Sequence, residues 1–270
     1  MVPMNRQTVE QITTRIEHVA AQAKHPIIAT DADGTLWGGD LAVDGFWTMV
    51  TGGFVTPMAL DALRARLGRA GFPRAENMTI AARQLYEAFV RNAISDATAC
   101  ELMGWCYAGL TEQRANELGH KVLVDGGLTH RLQPEMGQVV RWAKKAGIEV
   151  YVVSASPRFV VQLAAEQVGI EPQNVIAANL AIVDGVLQPR LDEPLCYGKG
   201  KVSAIARHLP DAQVIAAFGD ELYDLEMLRI AQIPVAVRPK PRLIRAAGPS
   251  VVELEGPPPS SGPRFRGFGF

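Results

Sequence analysis

The sequence predicts an α/β fold in which a parallel sheet carries helices on both faces. Short apolar runs over residues 26–30, 148–153 and 214–218 alternate with amphipathic segments, a pattern typical of parallel strands joined through helices. Residues 41–132 contain helical patterns without a convincing pair of strands. We therefore expect a sheet-based core into which a helical segment is inserted.

These patterns divide the chain into three parts. We expect a Rossmann-like core formed by residues 1–40 and 133–255, and a mostly helical cap formed by residues 41–132. We expect a disordered tail over residues 256–270, because that stretch is rich in Pro, Gly and Ser. A length of 270 residues suits a core domain with a smaller second domain.

The individual elements follow from the spacing of apolar residues and from the residues that start and stop helices. Pro134 and Gly147 mark the two ends of one helix, and Asp184-Gly185 is a hairpin signal. In chain order, the patterns predict a helix over 5–24, a strand over 26–30, the helical insertion over 41–132, a helix over 134–147, a strand over 148–153, a helix over 157–169, short strands over 175–180 and 186–188, a helix over 201–208, a strand over 214–218, a helix over 222–230 and a strand over 234–237.

The overall composition excludes some classes of function. The net charge is −1, so no general attraction to nucleic acid or to anionic lipid is expected. We expect neither a membrane span nor a signal peptide, because the sequence has no sufficiently long apolar run and no apolar leader. Three cysteines without a Cys-x-x-Cys pair are typical of a reducing compartment, so we expect a cytoplasmic protein.

Polar side chains stand at the carboxyl ends of three predicted strands. They are Asp31 and Asp33 after the first strand, Ser154 after the second and Asp220 after the third, with Lys199 and Lys201 between the last two. In an open parallel sheet these strand ends share one edge, where ligands bind. Carboxylates gathered there repel each other unless a cation lies among them, and their oxygen atoms favour Mg²⁺. One carboxylate can attack phosphorus while a second transfers the proton.

Four motifs in this order resemble those of the haloacid dehalogenase superfamily, over about residues 26–240. They are DADGTL at 31–36, VVS at 152–154, a lysine within YGKGKVSAI at 197–205, and GDELYD at 219–224. The resemblance implies hydrolysis through an aspartyl-phosphate. The dehalogenases of this superfamily lack the second acid of the first motif, since a halide leaves without a proton. Asp33 therefore favours a phosphatase.

The resemblance implies a role for each acid. Asp31 would be the nucleophile and Asp33 the general acid and base. Mg²⁺ would be held by Asp31, by the backbone carbonyl of Asp33 and by Asp220. Asp224 would support the metal site from beside it.

The resemblance also implies a set of phosphate-binding groups. Ser154, the loop N–H of Ala155 and a lysine would hold the phosphoryl oxygens. We favour Lys201 for this lysine, because a family-like GKV opens the next helix there. Lys199 is the alternative.

The place of the insertion, between motifs one and two, is similar to that in the phosphoserine-phosphatase-like branch of the superfamily. In that branch an acid nine residues after the nucleophile contacts a substrate amino group. Asp40 holds this position here, in place of the usual Glu. The branch also has a cap arginine that binds a substrate carboxylate, for which Arg64 and Arg66 are candidates.

The sequence thus predicts a Mg²⁺-dependent phosphomonoester hydrolase acting on a small phosphorylated metabolite. An amine-bearing substrate such as phosphoserine, phosphoethanolamine or phosphocholine is favoured, and sugar phosphates remain open. The alternatives are a phosphotransferase of the same superfamily and a non-catalytic phosphate-binding module. Neither nucleic acid nor a membrane is expected as a partner.

Overall fold

The structure is a computed structural model in which residues 4–257 are described. Its strands are β1 (Arg6–Gln7), β2 (Pro26–Thr30), β3 (Glu149–Pro157), β4 (Val175–Ala178), β5 (Leu180–Val183), β6 (Val186–Leu191), β7 (Gln213–Gly219), β8 (Ile233–Val237) and β9 (Val252–Leu254). Its α-helices are α1 (Val9–Ala20), α2 (Leu41–Thr51), α3 (Pro57–Arg69), α4 (Met78–Val90), α5 (Asp96–Gly104), α6 (Glu112–Asp125), α7 (Pro134–Ala146), α8 (Arg158–Gln167), α9 (Lys199–His208), α10 (Leu225–Ile230) and α11 (Pro241–Ala246). None of these helices is long and apolar enough to cross a membrane.

Seven strands form one parallel sheet in the order β1-β9-β8-β7-β2-β3-β4. The first predicted strand, β2, lies at the centre between β7 and β3. Strands β5 and β6 pair with each other in a separate antiparallel hairpin. This architecture confirms the predicted α/β fold class.

Alternate residues of the central strand face two separate apolar layers. Ile28 belongs to the larger cluster, which also contains Ile12 of α1. Ile27 belongs to a second cluster, together with Ala204 of α9 and Leu228 of α10. Because successive side chains of a strand point to opposite faces, helices cover the sheet on both sides.

Residues 41–132, between β2 and α7, form α2 to α6, as the helical patterns predicted. Each of these five helices begins after a residue whose side chain accepts a hydrogen bond from the first turn, which satisfies one of its unpaired N–H groups. These residues are Asp40, Thr56, Asn77, Ser95 and Thr111. Apolar side chains of the inserted helices belong to the same large cluster as those of α1 and α7. The division of the chain into a core and a cap at residues 41 and 132 stays a prediction.

Two stretches differ from their predicted elements. The helix expected over 5–24 is preceded by β1, which is held by pairing with the distant strand β9. The strand expected over 175–180 is two strands: β4 joins the main sheet beside β3, whereas β5 pairs with β6. The hairpin turn itself lies at Asp184-Gly185, where both residues have positive φ.

The predicted disordered tail, residues 256–270, lies outside the described residues apart from Gly256 and Pro257. The carbonyl of Pro257 accepts a hydrogen bond from Arg238 at 2.8 Å. The prediction of disorder therefore stays a prediction.

A buried ion pair joins the two ends of the insertion. Arg131 Nη2 lies 2.7 Å from Asp44 Oδ2, and both side chains are buried. The backbone carbonyl of Arg131 also accepts from the N–H of Gly38, at 2.8 Å. Burial raises the pKa of the Asp44 carboxyl, and the charge of Arg131 opposes that rise. The pair therefore fastens together the segments that enter and leave the inserted helices.

Replacing Arg131 by Met should lower the free energy of unfolding by about 3–5 kcal/mol, because the Asp44 carboxylate is then left buried without its partner. Urea unfolding followed by circular dichroism measures the loss. The double variant Asp44→Leu/Arg131→Met should recover much of it, since no charge remains to be desolvated. A loss below about 1 kcal/mol, as for an exposed ion pair, would contradict this role.

Candidate active site

The carboxyl ends of β7, β2 and β3 lie side by side, because these strands are neighbours in the sheet. Asp31 follows β2, and its backbone N–H donates to the carbonyl of Phe218 in β7 at 2.9 Å. Asp220 follows β7, and Ser154 lies near the end of β3. Sheet topology therefore brings three residues that are far apart in sequence to one edge.

Lys201 lies between two buried carboxylates. Its Nζ donates to Asp31 Oδ1 at 2.5 Å and to Asp224 Oδ1 at 2.7 Å, and its side chain is 3% exposed. Lys199 is exposed in the first turn of α9. The structure therefore places Lys201, and not Lys199, against the predicted nucleophile.

Three buried acids form a cluster that could hold a cation. Carboxylate oxygens of Asp31, Asp220 and Asp224 lie within 4.8 Å of one another. Asp224 Oδ2 also accepts from the backbone N–H groups of Asp220 and Glu221, both at 3.0 Å, and so fixes the turn after β7. Lys240 Nζ lies 2.9 Å from Asp220 Oδ2. Buried oxygen donors of this kind fit a hard divalent cation such as Mg²⁺.

The side chain of Asp33 is held apart from this cluster. Its Oδ1 accepts from Trp37 Nε1 and from the backbone N–H of Leu41, both at 2.8 Å. Its Oδ2 accepts from Ser156 Oγ at 2.6 Å. Donors from the loop after β2, from the start of α2 and from the end of β3 therefore fix the orientation of both carboxylate oxygens of Asp33. The position suits a group that transfers a proton.

The carboxyl groups of the site are harder to ionise than ordinary aspartates. Burial, followed by the charge of Asp224, raises the pKa of Asp31 to about 7, although Lys201 opposes the rise. Burial and the charge of Asp40 raise the pKa of Asp33 to about 7. Burial and the charge of Asp31 raise the pKa of Asp220 to about 7.

Two lysine side chains relieve part of the repulsion between these carboxylates. Burial disfavours the charged form of Lys201, but the carboxylates of Asp224 and Asp31 outweigh it and raise its pKa. The carboxylate of Asp220 similarly outweighs the burial of Lys240 and raises the pKa of that lysine. The pKa values of Asp31 and Asp220 stay raised beside these two lysines, which is consistent with a site that favours a further cation.

Gly34 allows the loop after β2 to approach Asp220 at the end of β7. Its φ is +91°, and a Cβ atom built there would lie about 2.1 Å from Asp220 Oδ2. Any other residue would clash with that carboxylate and strain the backbone. The glycine of the first motif is therefore required by the closeness of the two acidic segments.

The other predicted phosphate-binding groups lie at the end of β3. Ser154 is buried, and its Oγ accepts from the backbone N–H of Ser156 at 3.1 Å. Ala155, between them, is partly buried. In this arrangement Ser154 orients the loop that follows it, and its contact with phosphate stays a prediction.

Asp40 has a structural role in addition to the predicted one. Its Oδ1 accepts from the backbone N–H of Val43 at 3.0 Å, so it caps α2. Arg64 donates to the carbonyls of Ala75 and Glu76, each at 2.8 Å, and thereby braces the segment between α3 and α4. Arg66 lies on the same helix, partly exposed. The predicted substrate contacts of Asp40, Arg64 and Arg66 stay predictions.

A cavity of about 390 Å³ has Asp40 in its wall, although the clustered acids Asp31, Asp220 and Asp224 do not line it. It lies between α2, α4 and α5, and Tyr223 of the turn after β7 also lines it. Another cavity, of about 290 Å³, surrounds the opposite end of β3 near Glu149 and is remote from the strand ends that carry the acids. Of these two cavities, the larger is therefore the one nearer to the candidate site.

The sequence-based prediction missed three residues that contact the predicted acids. Lys240 follows β8, whose carboxyl end lies at the same edge of the sheet, so a basic residue after a fourth strand was an available signal. Ser156 and Trp37 hold Asp33, but their role depends on side-chain directions in two loops. Sequence spacing does not specify those directions.

Comparison with known proteins adds an independent result. The family model of haloacid dehalogenase-like hydrolases matches residues 28–229. A phosphoserine phosphatase of Streptomyces coelicolor is 34% identical over 125 residues. The matched segment is 45% of this chain but only 30% of that relative's length.

Solved structures share the fold. A Bordetella pertussis protein described as of unknown function has a TM-score of 0.65 at 21% identity, covering 86% of this chain and 99% of that one. A probable phosphoserine phosphatase from Vibrio cholerae has a TM-score of 0.55 at 16% identity, covering 86% and 62%. A phosphoserine phosphohydrolase-like protein from Francisella tularensis has a TM-score of 0.53 at 19% identity, covering 85% and 94%. At these identities the likeness concerns the fold.

MgCl₂ should raise the melting temperature of the protein, because a cation that binds only the folded state stabilises it by about 2.7 kcal/mol at one hundred times its Kd. Differential scanning fluorimetry at matched ionic strength measures the shift. Asp220→Asn should lose most of it, whereas Asp211→Asn, at an exposed position, should keep it. An equal shift in the wild type and in Asp220→Asn would place the cation elsewhere.

Proposed function

Because the chain belongs to the haloacid dehalogenase-like hydrolase family, we propose that it is a Mg²⁺-dependent phosphatase. It would hydrolyse a small phosphomonoester through an aspartyl-phosphate on Asp31. The observation that carries this proposal is the contact of Asp31 with Lys201 inside a buried cluster of acids, at the edge of the sheet where ligands bind.

The proposed reaction has two steps. A carboxylate oxygen of Asp31 forms a bond to phosphorus while the bond to the ester oxygen breaks, and Asp33 gives its proton to that departing oxygen. Asp33 then takes a proton from a water molecule as the water attacks phosphorus, which frees Asp31 and releases inorganic phosphate. A pKa near 7 suits a group that must first donate and then accept a proton at neutral pH.

The remaining residues would bind and orient the phosphoryl group. Lys201, already charged between two carboxylates, is placed to attract phosphoryl oxygens beside Asp31. Ser154 and the N–H of Ala155 would contact the same oxygens from the end of β3. These groups would balance the charge that develops on phosphorus in the transition state.

The proposed metal ligands are Asp31, Asp220 and the backbone carbonyl of Asp33. Asp224 is left in a supporting role, because its two oxygens already bind Lys201 and two backbone N–H groups. A bound Mg²⁺ ion would neutralise part of the negative charge on the phosphoryl oxygens.

A phosphotransferase would use the same first step and differ only in the acceptor. Release of inorganic phosphate from a panel of phosphorylated metabolites, with and without Mg²⁺ and with added alcohol acceptors, distinguishes the two. Phosphate release that alcohols do not reduce indicates a hydrolase, whereas a phosphorylated alcohol product indicates a transferase. A purely phosphate-binding module would give neither product.

Asp31→Asn should abolish turnover while leaving the melting temperature near that of the wild type, because an amide cannot form the phosphoenzyme. The measurement is phosphate release together with acid trapping of the phosphorylated protein. Asp211→Asn serves as the matched control at an exposed position. Substantial turnover by folded Asp31→Asn would rule out the proposed nucleophile.

Asp40→Asn should lower kcat/KM for amine-bearing phosphoesters by about ten- to a hundredfold, since a charge-assisted contact contributes about 1.5–3 kcal/mol. It should spare neutral esters such as sugar phosphates. Asn is also a good helix cap, so α2 should keep its first turn and the unfolding midpoint should not change. A uniform effect on all substrates would contradict the substrate contact and would leave Asp40 with its helix cap and its charge effect on the pKa of Asp33.

A further inference from the structure

The cavity that contains Asp40 in its wall is lined by aromatic rings together with aliphatic and a few polar side chains. Six of its lining residues are aromatic: Phe46, Trp47, Tyr86, Phe89, Tyr197 and Tyr223. Its volume, about 390 Å³, falls within the range of small-molecule sites. Such walls favour apolar or aromatic groups, and the space exceeds what a side chain as small as that of serine would fill.

The cavity is linked to the predicted general acid through the start of α2. Asp40 lies in its wall, and the next residue, Leu41, donates its backbone N–H to Asp33 Oδ1 at 2.8 Å. Tyr223 lies on the turn that carries Asp220 and Asp224, so one lining residue of the cavity is the chain neighbour of an acid of the cluster. An ester oxygen protonated by Asp33 would therefore carry its organic group toward this space.

Asp96 and two tyrosines of the cavity bind each other through their polar groups, whereas the charged residues Asp40 and Arg83 also line it. Asp96 accepts from Tyr223 Oη at 2.6 Å and from Tyr197 Oη at 3.3 Å. Those two rings stack with their centroids 4.4 Å apart. Arg242 lies over the Tyr223 ring, 5.2 Å from its centroid, and further fixes it. One wall is thus a rigid aromatic surface.

The wall formed by α4 carries two rings that are partly open to solvent, beside the exposed side chain of Arg83. Tyr86 and Phe89 of α4 are 55% and 41% exposed, although both line the cavity. Large apolar side chains that border a concave site next to reactive groups are typical of ligand-binding surfaces. An occupant of the cavity would cover them.

From these observations we propose that the organic group of the substrate is bulky and apolar, of the size of a phenyl ring or larger, and occupies this aromatic cavity. The inference rests on the proposed phosphatase function and adds the class of its substrate. It concerns the size and polarity of the organic group, and is independent of whether an amine lies near Asp40.

The test uses esters that share an alkyl leaving oxygen and differ in apolar bulk: ethyl, butyl and 2-phenylethyl phosphate, with phosphoserine as the small polar member. We expect kcat/KM for 2-phenylethyl phosphate to exceed that for ethyl phosphate by about ten- to a hundredfold, as burial of a phenyl group implies. Equal values, or a preference for ethyl phosphate, would overturn the inference while leaving the phosphatase function standing.

The double variant Tyr86→Ser/Phe89→Ser tests the wall itself at exposed positions, where folding depends little on the side chain. It should lower kcat/KM for 2-phenylethyl phosphate about tenfold and leave ethyl phosphate unchanged. Val90→Ser is the matched control, because Val90 is 56% exposed on the same helix and does not line the cavity. A uniform loss on both esters, or the same loss in Val90→Ser, would contradict the inference.

A binding measurement separates this inference from the catalytic proposal. Calorimetric titration of the wild type with the non-hydrolysable 2-phenylethylphosphonate and ethylphosphonate, in MgCl₂, requires no turnover. Tighter binding of the phenyl compound without hydrolysis of any ester would support the cavity and refute the phosphatase. Hydrolysis of the esters with equal binding of both phosphonates would support the phosphatase and refute the role of the cavity.

Discussion

The contact of Lys201 with Asp31 and Asp224 is the interaction on which the rest of the candidate site depends. Two buried carboxylates so close together would repel each other, and burial by itself already disfavours their charged forms. One ammonium group between them makes the arrangement possible. The contact also ties together three distant segments of the chain: the loop after β2, the first turn of α9 and the turn after β7.

The central position of β2 explains why these segments meet. Its neighbours are β7 on one side and β3 on the other, so the loops that follow all three strands emerge at one edge. Gly34 lets the loop after β2 come close to Asp220. Asp224 fixes the turn after β7 by accepting a hydrogen bond from the backbone N–H of Asp220. The result is a charged site at the rim of an apolar core, where backbone groups and lysines must balance the acids.

The inserted helices are connected to this site through the same loop. Asp33 accepts from the first residue of α2, while Asp40 caps that helix and lines the aromatic cavity. The predicted proton-transfer group is therefore positioned by the start of the insertion. The geometry couples the chemistry at the sheet edge to the surface that would select the substrate.

The α/β class, the order of the central elements and the residues of the four motifs could be predicted from the sequence. These properties are local: apolar spacing, helix caps and the residues that follow each strand are readable without the fold. The sequence also favoured Lys201 over Lys199, through the motif that opens α9.

The sequence did not specify the short strands β1 and β9, because two- and three-residue strands are held by pairing with distant partners rather than by their own pattern. It also merged β4 with β5, because one apolar run continues across a change of sheet. Only the tertiary structure decided that Ser156 and Trp37 hold Asp33, that Lys240 reaches Asp220, and that aromatic residues from α2, α4 and two loops enclose one cavity. The physical reason is that such contacts depend on side-chain direction and on packing between segments far apart in the chain, and neither is encoded in local periodicity.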